Sequence, residues 1–143
     1  MKSSMGVVTN VCLTNCPDYL SRVRKILGCL GRSVGMDRRQ IEDAALALTE
    51  ACSNAIRHGC GASGDGRFDV TFTTCSDFVA ADVTDSGGRP DWLETEGAKD
   101  GLGMLLMRSL ADGMEFVPHK NGLTVRLVKR VSSTPDRRIP HAV

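Results

Sequence analysis

Apolar and polar residues change their period several times along this chain, and each change marks an element. Residues 7 to 13, VVTNVCL, read as a strand. Asn15-Cys16-Pro17-Asp18 then supplies a helix start, with proline near the first turn where its missing N–H is no loss. Leu20, Val23, Ile26, Leu27 and Leu30 recur at three- and four-residue spacing, which predicts a helix of about three turns that Gly31 and Gly35 interrupt. Asp37 opens a second helix, with Gln40 as its capping-box partner, and Gly59 is expected to end it as a C-terminal cap. FDVTFT places Phe68, Val70 and Phe72 on one face of a strand, and FVAADVTD does the same with Val79, Ala81 and Val83. A turn at Cys75-Ser76-Asp77 makes these two strands neighbours. Residues 86 to 101 hold Gly87, Gly88, Gly97, Gly101 and Pro90 with little apolar content, so a loop or lid is expected before a helix at 103 to 111. MEFVPH and LTVRLVKR flank Lys120-Asn121-Gly122, a strong signal for a hairpin. Residues 132 to 143, SSTPDRRIPHAV, read as a solvated tail.

The order is strand, helix, helix, two strands, lid, helix, hairpin. It predicts an α+β fold, a two-layer α/β sandwich whose mostly antiparallel sheet carries its helices on one face. A chain of 143 residues is one domain. With 18 basic and 17 acidic residues the formal charge is +1, which gives no electrostatic footprint for nucleic acid or an anionic membrane. There is no uninterrupted apolar run long enough to span a bilayer, and MKSSMGVVTNVCLTNC lacks a signal-peptide core, so a soluble, cytoplasmic protein is expected. The six cysteines show no metal-knuckle spacing and read as small hydrophobes of a reducing compartment, with Cys29 and Cys52 at core positions.

Candidate chemistry begins on the second helix. At about 100° per residue, Ile41, Ala45, Leu48, Cys52 and Ala55 form the core stripe, and Asp43, Glu50, Asn54 and Arg57 gather in the opposite sector. A solvated face would look the same, but Asn is a poor choice for a merely exposed helix interior. A carboxylate and a carboxamide one turn apart can instead share a magnesium-bound phosphate, the amide oxygen on the metal and the carboxylate accepting a proton. In DVTDSGGRPD, Asp85 shares the parity of Val79, Ala81 and Val83, so it points to the buried side where the strand ends. A buried carboxylate needs a donor. Local turn amides supply one answer and the exocyclic amino group of adenine another, with Gly87 letting a ring come close to the backbone. Finally, Gly101-Leu102-Gly103 opens a helix whose unshielded amides and positive dipole end suit phosphates, although a flexible entry turn has the same composition. Met104, Leu105 and Met107 read as core, and His58 as a structural histidine.

Together, helical E-x-x-x-N, a strand ending in D-x-G and G-x-G at a helix start resemble the N, G1 and G2 boxes of the GHKL ATPases, whose family fold is the Bergerat sandwich. The resemblance covers residues 7–130 and leaves 131–143 as a tail. TEACSNAIRHG and GLGMLLMRSLADGMEF are most similar to the bacterial anti-sigma-factor serine kinases of the RsbW and SpoIIAB type. The resemblance implies ATP and Mg²⁺ as cofactors, Glu50 as catalytic base, Asn54 as magnesium ligand, Asp85 with Gly87 as the adenine-reading pair, and Gly101, Leu102 and Gly103 as the phosphate cradle. One departure stands out: the fuller first glycine box is D-x-G-x-G, and Arg89 followed by Pro90 occupies its second glycine position. The implied activity is transfer of the ATP γ-phosphoryl group to a serine or threonine of a small STAS-type antagonist protein. The implied partners are that antagonist, a sigma factor and a second copy of the chain in a homodimer, with no direct nucleic-acid or membrane contact. The contrasting expectation is a nucleotide-binding partner-switching module that sequesters a regulator without phosphorylating anything.

Overall fold

A computed structural model of the protein describes residues 6–16, 18–60, 66–87, 101–120 and 122–131. Strand β1 (Val7–Thr14) leads into helices α1 (Tyr19–Ser33) and α2 (Arg38–Asn54). Strands β2 (Arg67–Cys75) and β3 (Phe78–Asp85), helix α3 (Gly101–Leu110) and the hairpin of β4 (Gly113–His119) and β5 (Gly122–Arg130) complete it. This is the order the hydrophobic pattern predicts. The strands form one sheet, β1-β2-β3-β5-β4, and every neighbouring pair is antiparallel. The expected α+β sandwich is therefore present, with no parallel pair among the described strands.

Register assigns the two faces of the sheet. Phe68, Val70 and Phe72 of β2 stand opposite Asp85, Val83 and Ala81 of β3, and opposite Leu13, Val11 and Thr9 of β1. With Leu123, Val125 and Leu127 of β5 they form the side that packs against Val23 and Leu27 of α1 and Ala47, Leu48, Ala51 and Cys52 of α2. Phe68 and Phe72 are essentially fully buried, each worth about 1.5–3 kcal/mol. The opposite side carries hydrogen-bonded polar pairs. Arg126 grips Asp82 through two bonds of 2.8 and 2.9 Å, Asn10 donates to Thr71 Oγ1 at 2.7 Å, and Thr84 and Thr124 hydroxyls lie 2.7 Å apart. A single covered face is what the period-two alternation of these strands encodes.

Helix ends are held by named partners. Gln40 N–H donates to Asp37 Oδ1 at 2.8 Å and Asp37 N–H to Gln40 Oε1 at 3.1 Å, completing the expected capping box. Gln40 Nε2 also donates to the Arg130 carbonyl at 3.1 Å, tying the start of α2 to the end of β5. At the C-terminus of α3, Lys129 Nζ donates to the Leu110 carbonyl at 2.8 Å and lies 3.8 Å from Asp43 Oδ2, so one ammonium joins β5, α3 and α2.

Several expectations need correction. Helix α1 runs through Gly31, and the chain turns instead at Gly35, whose φ of 94° is in the left-handed region. Gly59 is not a simple C-terminal cap, because α2 passes at Ala55 into a π-helical turn, Ala55–Cys60. The buried arc of α2 comprises Ala44, Ala47, Leu48, Ala51, Cys52 and Ala55, while Ile41 and Ala45 are only half-buried. That rotation follows from α3, which packs along the flank of α2 that periodicity alone assigns to solvent. Cys29 and Leu105 are exposed rather than core. Helix α3 starts at Gly101, so both glycines lie within its first turn. The lid from residue 88 to 100, with Arg89 and Pro90, and the tail 132–143 lie outside the described residues.

Candidate functional site

Glu50 and Asn54 stand one turn apart near the end of α2, and both are half-buried. They border the buried arc instead of opposing it: Asn54 is two turns beyond Ala47, which is 1% exposed. The reason is the packing of α3 onto this flank. A Cβ built on Gly103 would stand 2.7 Å from Glu50 Oε1 and 3.8 Å from its Cδ, so the carboxylate rests against the first turn of α3. Asn54 Oδ1 accepts a hydrogen bond from Arg57 Nη2 at 2.5 Å. Glu50 and Gly103, singled out separately in the sequence, are thus neighbours.

Asp85 closes β3 at 9% exposure, with Phe68 and Leu123 beside it across the sheet. Its Oδ1 accepts the Gly87 N–H at 2.9 Å. This is the local turn bond considered from sequence, and it fixes the carboxylate over Gly87. Gly122, which the sequence marks only as a turn residue, has a second role. A Cβ there would fall 1.9 Å from the Asp85 carbonyl oxygen and 2.9 Å from Ser86 Cα. The start of β5 can lie under the Asp85-Ser86 backbone only because Gly122 has no side chain. Gly87 and Asp85 therefore owe their position in part to a residue outside every motif.

Tyr19 is the other residue that sequence reasoning missed. Its ring meets Phe68 edge to face, centroids 5.7 Å apart at 88°, and Phe68 is the cross-strand neighbour of Asp85. Burial pushes the Tyr19 hydroxyl pKa up, and the charge of Glu50 adds to the rise. Gly103 thus neighbours Glu50, and Tyr19 meets Phe68, which in turn neighbours Asp85. No motif signals Tyr19; its place at the first position of α1 becomes meaningful only once α1 is folded over β2. Cys52, on the core side of α2, is 0% exposed, and desolvation raises its thiol from 9.0 to about 12. It is a neutral packing residue with no nucleophilic character at pH 7.

The donor set can be matched to a ligand. Asn54 and Glu50 offer an amide and a carboxylate oxygen a turn apart, hard donors of the type Mg²⁺ accepts when phosphates and water fill most of its shell. Arg57 engages one of the two lone pairs of Asn54 Oδ1, and its positive charge there opposes a cation on the other. The first turn of α3, Gly101 to Gly103, carries amide donors that have no partner inside the helix, the usual seat for an anion. Leu102 is 69% exposed, so only its backbone fits a role there. The side chain of His58 lies outside the described residues.

Comparison with known proteins identifies the family of the chain. Residues 13–129 match the family model of the histidine kinase-like ATPase domain. The chain is 32% identical over 129 residues to the serine-protein kinase RsbW of Bacillus pumilus, covering 79% of each chain. It is 26% identical over 139 residues to the serine-protein kinase RsbW of Bacillus subtilis, covering 87% of this chain and 84% of that one. A crystal structure of the RsbU and RsbW domains of a Mycobacterium tuberculosis protein superposes with a TM-score of 0.66 at 22% identity, over 87% of this chain and 32% of that longer one, a likeness of fold. No described helix is long and apolar enough to cross a membrane. With the family model spanning the core elements and RsbW relatives aligned along most of the chain, the protein belongs to the histidine kinase-like ATPase family, in its RsbW group.

Proposed function

We propose that the protein is an ATP-dependent serine/threonine kinase that phosphorylates a small STAS-type antagonist protein and, as an anti-sigma factor, sequesters a sigma factor, acting in the cytoplasm as a homodimer. The observation that carries the reading is the contact of Glu50 with the first turn of α3, which joins a proton acceptor to a set of amide donors. A module that only binds nucleotide needs no proton acceptor at that point. ATP would supply the γ-phosphoryl group and leave as ADP, and Asn54 Oδ1 would hold Mg²⁺, which would supply charge neutralisation.

The remaining work falls to the chain itself. Asp85, steadied by the Gly87 amide, accepts from the exocyclic amino group of adenine, while Gly87 admits the ring to the backbone. Backbone amides of Gly101, Leu102 and Gly103 hold phosphate oxygens at the positive end of α3. Glu50 takes the proton of the attacking hydroxyl as the oxygen turns nucleophile. The domain responsible is residues 7–130.

Two experiments test the reading. Calorimetry with ATP, ADP and GTP should show adenine selectivity that Asp85→Ala abolishes while the fold survives; equal affinity for ATP and GTP contradicts it. Incubation with radiolabelled ATP and the STAS-domain protein captured from the native cell should label a serine or threonine of that protein. Tight binding of both nucleotide and protein without any transfer would assign the chain to the sequestering class instead.

A further inference from the structure

Gly103 occupies the third position of α3 with ordinary helical backbone, a place where conformation gives no reason for glycine and alanine is the better helix former. The phosphate-cradle role explains a need for exposed amides, which alanine at this position also has. What alanine lacks is room. Apart from its chain neighbours and the helix's own adjacent backbone, the only atoms of the described residues within 4 Å of a Cβ built there are Oε1 and Cδ of Glu50, at 2.7 and 3.8 Å. The first is closer than real methyl carbons stand to any oxygen. The obstacle is the tip of a flexible side chain on the neighbouring helix, not backbone.

We propose that Gly103 is a positioning residue for Glu50: its missing side chain leaves the notch in α3 where the carboxylate rests, and so fixes the proton acceptor relative to the substrate hydroxyl. This rests on the reading of Glu50 as general base. A general base works within a narrow window of about 2.6–3.2 Å from the proton donor's heavy atom. A methyl group at Gly103 drives the carboxylate out of its notch by a large part of that tolerance. The helix itself tolerates the methyl, because the glutamate can rotate away at a cost comparable to what alanine gains in helix propensity. Gly103→Ala should therefore leave a well-folded protein that has lost the placement of its base.

The test is a double-mutant cycle read in two ways. First, thermal melting without nucleotide compares Gly103→Ala in the native background and in Glu50→Ala. With Glu50 present the substitution should change the melting temperature little, because helix propensity and displacement of the carboxylate oppose each other. With Glu50 removed it should raise the melting temperature by a few degrees. Equal increments in the two backgrounds would show that the residues do not interact and would overturn the proposal. Second, Gly103→Ala should lower the transfer rate at saturating ATP, where any change in nucleotide affinity is masked, at least tenfold, with no further loss when added to Glu50→Gln. Weakened Mg-ADP binding with an unchanged saturated rate would return Gly103 to the phosphate cradle and refute the positioning role. Full transfer by Glu50→Gln would instead refute the base itself, and the melting cycle would still report whether the two residues touch.

Discussion

Replacing Gly122 with alanine perturbs the site through backbone alone. The new Cβ would lie 1.9 Å from the Asp85 carbonyl oxygen and 2.9 Å from the Asp85 carbonyl carbon. Neither is a movable side-chain tip, so β5 must retreat from β3 by roughly 1.5 Å to restore van der Waals contact. That is enough to break the hydrogen bonds of the final rungs, Asp85 opposite Leu123 and Thr84 opposite Thr124. Two bonds at about 1 kcal/mol each, with partial exposure of Leu123, now 4% exposed, bring the cost to about 3 kcal/mol. For a chain of this size that is a fall in melting temperature of about 10 °C. Gly113→Ala is the internal control, since its Cβ would meet Val128 Cβ at an ordinary 3.5 Å. Calorimetric melting and Mg-ADP titration should show Gly122→Ala destabilised and at least tenfold weaker in nucleotide binding, and Gly113→Ala close to the native protein. If both variants melt within a degree or two of the native protein, the proposed approach of β5 beneath Asp85 is wrong.

Two further outcomes are expected. Asn54→Ala should weaken Mg-ADP binding while leaving the magnesium-free affinity nearly unchanged, whereas Arg57→Ala, which frees Asn54 Oδ1, should strengthen the magnesium-dependent component; titrations with and without Mg²⁺ that show neither change would remove Asn54 as the ligand. The Cys52 thiol, raised in the folded state from 9.0 to about 12, stays protonated in the fold while the unfolded thiol ionises, so its contribution is full below about pH 9 and is lost as pH rises toward 12, at about 1.4 kcal/mol per pH unit. Urea melts from pH 8 to 10.5 should show that slope in the native protein and a shallower one in Cys52→Ala.

Much of the fold could be read from the chain because its signals are local. Asp37 and Gln40 cap each other within one turn, Phe68, Val70 and Phe72 alternate cleanly, and Asn121-Gly122 sits between two strand patterns. Where the reading failed, a distant element decided the outcome. The rotation of α2 follows from α3 lying on its flank, which makes Glu50 and Asn54 border residues and covers Ala47. Cys29 and Leu105 have apolar side chains but face outward on helices whose other sides are already covered. The candidate site shows the same division: Glu50, Asn54, Asp85 and the two glycines carry spacing that sequence can display. Gly122 beneath Asp85 and Tyr19 against Phe68 come from non-local approaches, and no window of the sequence contains them.

The central claim is that Glu50 accepts the hydroxyl proton during phosphoryl transfer, and single-turnover transfer from radiolabelled ATP to the captured STAS-domain protein tests it most directly. Glu50→Gln keeps the size and hydrogen-bonding reach of the side chain and removes its basicity. The account predicts a transfer rate lower by about a hundredfold or more, with Mg-ADP affinity and partner affinity at native values. Undiminished transfer by Glu50→Gln would contradict it.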